Sequence, residues 1–298
     1  MHFSKIALLA AGASLVNGIS MKEHDAIIQA FNAAAAKRNV PSLENLSPRQ
    51  TTNTSAVCPA VWTQVAADLT NRFLNTTSGQ CNDDARASIR AAFHDCAAWN
   101  TTTPGGCDGS LILSSETADN ELDRPENNGL QDIGAKLLNL TQTYQAIDSS
   151  VTAADMIQFA ASVAIVTCPL GPKVPTVVGR TDSSQAAVPD LLPSVTSPAA
   201  DLIALFEAKT ITAPELIALI GAHSTSRQFT TNLTFAGEPQ DSTPGEWDVD
   251  FYSQTTNPPE GVFVFPSDRA LALDNTTAAT FEGFVGAQGK WDGAFKKA

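Results

Sequence analysis

The chain has 298 residues, a formal net charge of −13, and few aromatics beyond Phe, with four Trp and two Tyr. That length is enough for one large domain or two small ones with a substantial core. The acidic balance argues against nucleic acid and anionic membrane as partners.

Lys5 precedes an apolar run from Ile6 to Val16, then small and polar residues through Ser20. The run is too short to span a bilayer and predicts a signal peptide over 1–20, hence a secreted, soluble protein. Seven N-x-S/T sequons, at Asn45, Asn53, Asn75, Asn100, Asn139, Asn232 and Asn275, agree with an extracellular glycoprotein. Residues 21–50 are polar and carry the dibasic pair Lys37-Arg38. They read equally as a leader or pro-segment and as an N-terminal helix that stays attached. Val61, Val65, Leu69 and Phe73 recur every four residues and predict a helix from Val57 to Phe73. A second is predicted over Ala85–Asp95, with Ile89, Ala92 and Phe93 on its apolar face. Thr102 to Ser110 is a Gly/Pro/Asp loop. An Ala-rich helix follows over Ala153–Val166 and stops at Cys168-Pro169-Leu170-Gly171-Pro172. Another opens at Thr212, with Glu215 completing a capping box, and runs to about His223. Short strands are expected at Thr176–Val178 and Val262–Phe265, and a last helix at Phe281–Lys297. The fold class is mostly α with long loops.

Of the four histidines, His2 and His24 fall in the first two segments, leaving His94 and His223 for chemistry. Arg90 and His94 are one helical turn apart and share a face. A neutral imidazole that moves a proton, beside a fixed cation that stabilises negative charge, suits peroxide cleavage. Taken alone, the same pair more often marks an ordinary surface face. Asp95 and the loop Gly105-Gly106-Cys107-Asp108-Gly109-Ser110 offer carboxylates, a hydroxyl and carbonyls, hard oxygens that suit calcium. Taken alone, such loops more often hold no ion. His223 in isolation reads as a helix-end histidine. The five cysteines, Cys58, Cys81, Cys96, Cys107 and Cys168, lack the spacing of a zinc site, and their odd number leaves at least one unpaired.

Arg90-Ala-Ala-Phe93-His94-Asp95 followed by Gly105 to Ser110 resembles the distal half of the plant, fungal and bacterial haem peroxidase superfamily, and most resembles secreted fungal (class II) enzymes. The likeness continues through Val151 to Ala160, Gly179-Arg180-Thr181-Asp182, Leu192-Pro193 and Ala222-His223-Ser224. It implies a haem peroxidase domain over 51–298, with distal and proximal helical halves sandwiching one haem b. Arg90, His94 and Phe93 match the distal residues, with Asn127 behind His94 and Glu121 six residues earlier. His223 matches the axial iron ligand and Asp268 its carboxylate partner, which raises imidazole basicity and favours oxidised iron. Two calcium ions are implied. One is held by Asp95, Gly106, Asp108 and Ser110, the other by Ser224, Asp241, Thr243, Glu246 (through its carbonyl) and Asp248. Cys81 and Cys168 match a family disulfide, and Cys96 and Cys107 a bridge of the plant enzymes, so Cys58 is left over. A monomer is implied, with hydrogen peroxide as oxidant and small phenolic or aromatic reductants.

Three departures narrow the expectation. The manganese carboxylates of some relatives fall at Asp83, Ala87 and Phe229, one acid of three. The surface Trp of lignin-oxidising relatives falls at Ala218. Gln240 stands where an aromatic is usual, and its amide needs a partner. Small donors are therefore expected to reach the haem edge directly. The alternative is a secreted haem- and calcium-binding relative with little turnover.

Overall fold

A computed structural model describes residues 58–114 and 119–298. The proposed signal peptide and leader, with the sequons at Asn45 and Asn53, lie outside the described residues. Eleven α-helices are described: α1 Val61–Phe73, α2 Asp83–Ala97, α3 Ser110–Leu113, α4 Gln131–Gln145, α5 Ala153–Thr167, α6 Ala199–Glu207, α7 Ala213–Ile220, α8 Asp250–Thr256, α9 Pro266–Leu273, α10 Ala278–Glu282 and α11 Gln288–Phe295.

The mostly-α expectation holds. In α1, Val61, Val65, Leu69 and Phe73 are all buried, as the four-residue spacing requires. Asn82 caps α2 by accepting from Ala85 N, and Asp83 and Asp84 lie in its first turn, where the helix dipole favours acids. The most extensive helix pairing is α2 on α5. Ala91 and Ala92 of one and Ala153, Ala160 and Ala164 of the other are buried, and such small side chains let the backbones approach. α1 and α4 pack on α5 as well, while α6 to α11 pack on one another.

The Gly179-Arg180-Thr181-Asp182 motif is a clamp on α5. Asp182 accepts from Ala153 N and Ala154 N, and the fully buried Asp155 pairs with Arg180 at 2.9 Å. Gly109 has φ +80°, and a Cβ there would lie 2.8 Å from Ala154 N, so the distal loop meets α5 only through glycine. Disulfides Cys81–Cys168 and Cys96–Cys107 are both present, closing spans of 87 and 11 residues. Chain-entropy arguments give them about 4–5 and about 3 kcal/mol. Cys58 is an exposed free thiol.

Three expectations need correction. Thr176–Val178 and Val262–Phe265 are not strands. Among the described residues only two isolated bridges occur, Leu74 with Cys81 and Arg227 with Pro239. β-branched composition favours extension, but a strand needs a partner ladder. Phe263 N has a single bond to Pro239 O, and Thr176 bonds Ser162 through hydroxyls. The final predicted helix is two, α10 and α11, separated where Gly286 takes φ +65°. The helix toward His223 ends at Ile220 and tightens into a 3-10 turn over Gly221–Thr225, so His223 sits on the turn rather than on the helix.

Candidate active site

α2 places Arg90 and His94 on one face, and Arg90 Nε donates to His94 Nε2 at 3.2 Å. The other ring nitrogen, Nδ1, lies 2.6 Å from Asn127 Oδ1. Asn127 Nδ2 donates to the carbonyl of Glu121 at 2.7 Å, which fixes the amide orientation. The His94 tautomer follows: Nδ1 carries the proton, and Nε2 presents its lone pair toward Arg90. Burial, and then the Arg90 charge, push His94 down to about 3, although the Asn127 bond works the other way. The imidazole is thus neutral at ordinary pH. Burial lowers Arg90 to about 10, so it stays cationic.

Glu121 acts on Asn127 through its backbone alone. Its buried carboxylate accepts from Ala187 N instead, at 2.8 Å, which ties the 3-10 turn Glu121–Asp123 to a distant loop. Sequence reasoning missed the other anchors. Arg90 Nη1 and Nη2 donate to the carbonyls of Asn128 and Glu126, both at 2.8 Å. Backbone acceptors leave no mark in side-chain identity, so no sequence signal could have found them. Phe93 sits edge-on to His94, centroids 5.8 Å apart, and stacks on Phe206 of α6.

On the other side, His223 Nδ1 is 2.9 Å from Asp268 Oδ2, a carboxylate with no exposed surface in the first turn of α9. Phe251 and Phe265 present edges to the ring at 5.9 and 5.6 Å. Burial draws the His223 pKa down, but the charge and hydrogen bond of Asp268 outweigh it, and the net shift is upward. The side chain nevertheless keeps 35% of its surface open. A side chain that is both deep and open lines an internal cavity. His223 exerts a charge effect on His94, and Arg90 exerts one on His223, so the two clusters lie near one another. With Nδ1 committed to Asp268, Nε2 of His223 is left available, and an imidazole backed by a carboxylate in this way fits haem iron.

The family model for peroxidases matches residues 65–287. The chain belongs to the peroxidase family. It is 30% identical over 257 residues to a peroxidase of Arthromyces ramosus, covering 78% of this chain and 67% of that one. A low-redox potential peroxidase of Taiwanofungus camphoratus is 30% identical over 254 residues, with 80% and 71% covered. Manganese peroxidase 3 of Phlebia radiata is 29% identical over 297 residues, with 91% and 78% covered. The protein is thus a fungal-type haem peroxidase, using hydrogen peroxide to oxidise phenol-like donors. Among its described residues no helix is long and apolar enough to cross a membrane.

Both oxygen-rich loops of this peroxidase form buried cradles. In the first, Asp95 accepts from Gly109 N and Leu111 N, Asp108 accepts from Ser110 N, and Gly106 O accepts from Asp108 N. Burial pushes Asp95 up to about 8. In the second, Thr243 Oγ1 donates to Asp248 at 2.7 Å, and Glu246 turns its carboxylate away to Gln80, leaving its carbonyl. Buried Ser224 Oγ and Asp241 Oδ2 have no hydrogen-bond partner there. Burial and then Asp248 push Asp241 up to about 8, and burial raises Asp248. Among the described residues no three His, Cys, Asp or Glu side chains gather as a metal centre, so any cation here relies on neutral oxygens as well.

The three departures take physical form. Asp83 is exposed and paired with Arg86, and Phe229 is 58% exposed. Ala218 is 1% exposed, and its carbonyl accepts from Trp291 Nε1, so that position lies beneath α11. Gln240 is buried. Its Oε1 accepts from Ser226 Oγ, while its Nε2 has no partner.

Proposed function

We propose that the protein is a secreted, monomeric peroxidase in which His94, Arg90 and Asn127 handle hydrogen peroxide, His223 and Asp268 hold haem b, and two calcium ions fill the oxygen cradles. The observation that carries this reading is the pair of hydrogen-bonded histidines, each backed by its own polar partner, lying near one another. Haem, when bound, would supply the iron at which peroxide is split and would hold the two oxidising equivalents that peroxide delivers until donors discharge them.

The chain's own groups then act in sequence. His94 Nε2 takes the proton from the nearer peroxide oxygen, a step for which its depressed basicity keeps it neutral and ready. Arg90 Nε occupies that lone pair in the free protein, so it yields the position to peroxide and turns its charge toward the departing oxygen. His94 then returns the proton to that oxygen, and water leaves. Asn127 keeps the imidazole in the tautomer that permits both transfers. Asn127→Leu is expected to slow peroxide cleavage about 10–100-fold with haem still bound, the usual cost of losing the partner behind a working imidazole. Stopped-flow reaction with peroxide measures it.

Small phenols are the proposed donors, meeting the haem edge directly. Asp83 is engaged by Arg86 and Phe229 is apolar, so a divalent ion finds one acid where it needs several. Reconstituting the protein with haem and calcium and adding one equivalent of peroxide should shift the Soret band. A phenol should then restore it in two one-electron steps, with manganese giving no saturable acceleration. An unchanged Soret band would overturn the enzyme reading, and saturable manganese oxidation would overturn the donor reading.

Calcium is supported by the orphaned oxygens of Ser224 and Asp241 and by the raised Asp95 and Asp241. The sign of the pH effect follows. Each carboxyl stands at about 8 in the fold against 3.8 for an ordinary aspartate, so between those limits the folded state binds more protons than the unfolded. In chelator, stability should therefore fall as pH rises from about 4 to about 8. With calcium that loss should vanish, since the cation neutralises both acids. Thermal melts across this pH range, with and without calcium, check it.

A further inference from the structure

We infer that the stacked indoles of Trp247 and Trp291 are an internal electron reservoir for the haem, reached through Phe251 and Tyr252. Rings run without a gap from the proximal histidine: His223 to Phe251 at 5.9 Å, Phe251 to Tyr252 at 5.3 Å, Tyr252 to Trp291 at 5.9 Å, and Trp291 to Trp247 at 4.9 Å with planes 12° apart. Two hydrogen bonds join the same rings to the helix that leads to His223. Tyr252 Oη donates to Ile217 O at 2.9 Å, and Trp291 Nε1 to Ala218 O at 2.8 Å. At Gly221, two residues before His223, a Cβ would collide with both Tyr252 Oη and Trp291 Nε1, so these rings rest directly on the backbone that carries the ligand.

Tyr252, Trp247 and Trp291 have no exposed surface, which shields any charge they hold from solvent. Half of the chain's Trp and half of its Tyr are concentrated here.

Indole and phenol are the most easily oxidised protein rings, and two parallel indoles in contact share a positive charge better than one. Tyr252 gives its proton only to a peptide carbonyl, which is no base, so it serves as a bridging ring and not as the resting place of the charge. The step balances simply. Peroxide, the oxidant of the established activity, leaves the haem group short of two electrons. One electron passes from the Trp247–Trp291 π-pair and reduces that deficit to one. The pair keeps the positive charge, no bond breaks, and Trp291 keeps its N–H proton on Ala218 O. When a donor arrives, its electron restores the pair. Between donors, the equivalent is stored on shielded rings and not on the haem periphery.

This rests on the peroxide reaction proposed above, and one experiment separates the two. The haem-loaded protein is mixed with one equivalent of peroxide without donor, frozen within milliseconds, and examined by optical absorption and electron paramagnetic resonance on the same sample. An organic radical is expected whose hyperfine pattern narrows when the protein carries ring-deuterated Trp, and does not change with ring-deuterated Tyr. That labelling leaves the fold untouched. The signal should be lost in Trp247→Phe/Trp291→Phe and retained in Trp62→Phe and Trp99→Phe. A Soret shift with no Trp radical, a Tyr radical, or a Trp radical that survives the double replacement would each overturn the reservoir while leaving the peroxidase reading intact. No Soret shift at all would remove both.

Discussion

His94→Ala should retain haem and lose about 10²- to 10⁴-fold in the rate of peroxide cleavage, the range that a positioned proton-transfer group contributes. The argument is geometric first. Nε2 carries the ring's only lone pair able to take a proton, because Nδ1 donates to Asn127, and alanine offers nothing in its place. Arg90 would remain tied to Glu126 and Asn128 and could still attract the departing oxygen, so the loss should stop short of the uncatalysed rate. The wild type carries a second signature. Since burial holds His94 down to about 3, the rate of peroxide cleavage should stay flat through mildly acidic pH and fall only as pH approaches that value. Stopped-flow mixing at several pH values tests both, and a His94→Ala protein that reacts as fast as wild type would overturn the distal assignment.

His223→Ala should fail to keep haem through gel filtration, while the apoprotein keeps its helical content. The ring contributes the one imidazole on that side, and Asp268 behind it has no exposed surface and no other described imidazole to serve. Removing the ring leaves a buried carboxylate without its partner, so some loss of stability accompanies the loss of haem. Free imidazole, small enough to fill the space, should restore haem retention in part. That rescue separates a missing ligand from a damaged fold. Asp268→Asn should be milder, keeping the ligand but weakening haem affinity or activity about 10–100-fold. Unchanged haem retention in His223→Ala would move the axial ligand elsewhere.

How much of this was legible in the sequence depended on whether a residue's side chain or its backbone carries the role. Arg90, His94, Asn127, His223 and Asp268 carry their proposed roles in side chains at characteristic spacings, and the first three are hydrogen-bonded together while the last two form a second pair. Glu121 was legible as a position, yet its contribution to Asn127 is a carbonyl, which any residue possesses. Helix α4 was missed although Ile133, Leu137, Leu140 and Tyr144 repeat at helical spacing. Polar residues between them dilute that pattern. Helix α8, Asp250–Thr256, carries no such signal. It is short and mostly polar, and its helicity comes from burying Phe251, Tyr252 and Thr255. The split between α10 and α11 was hidden because Phe281, Phe284 and Trp291 are all buried and mimic one continuous apolar face.

The grip of Arg90 on the carbonyls of Glu126 and Asn128 has a consequence for anyone redesigning this enzyme. One guanidinium is both the proposed charge facing peroxide and the rivet that holds a second 3-10 turn, Pro125–Asn127, so the two traits cannot be tuned separately. A library over 121–128 would sample broken catalysts far more often than new specificities. The exposed Phe229, Leu233 and Phe235 offer the opposite case. None of the hydrogen bonds described around either histidine involves their side chains, so that surface is free to vary without disturbing either one.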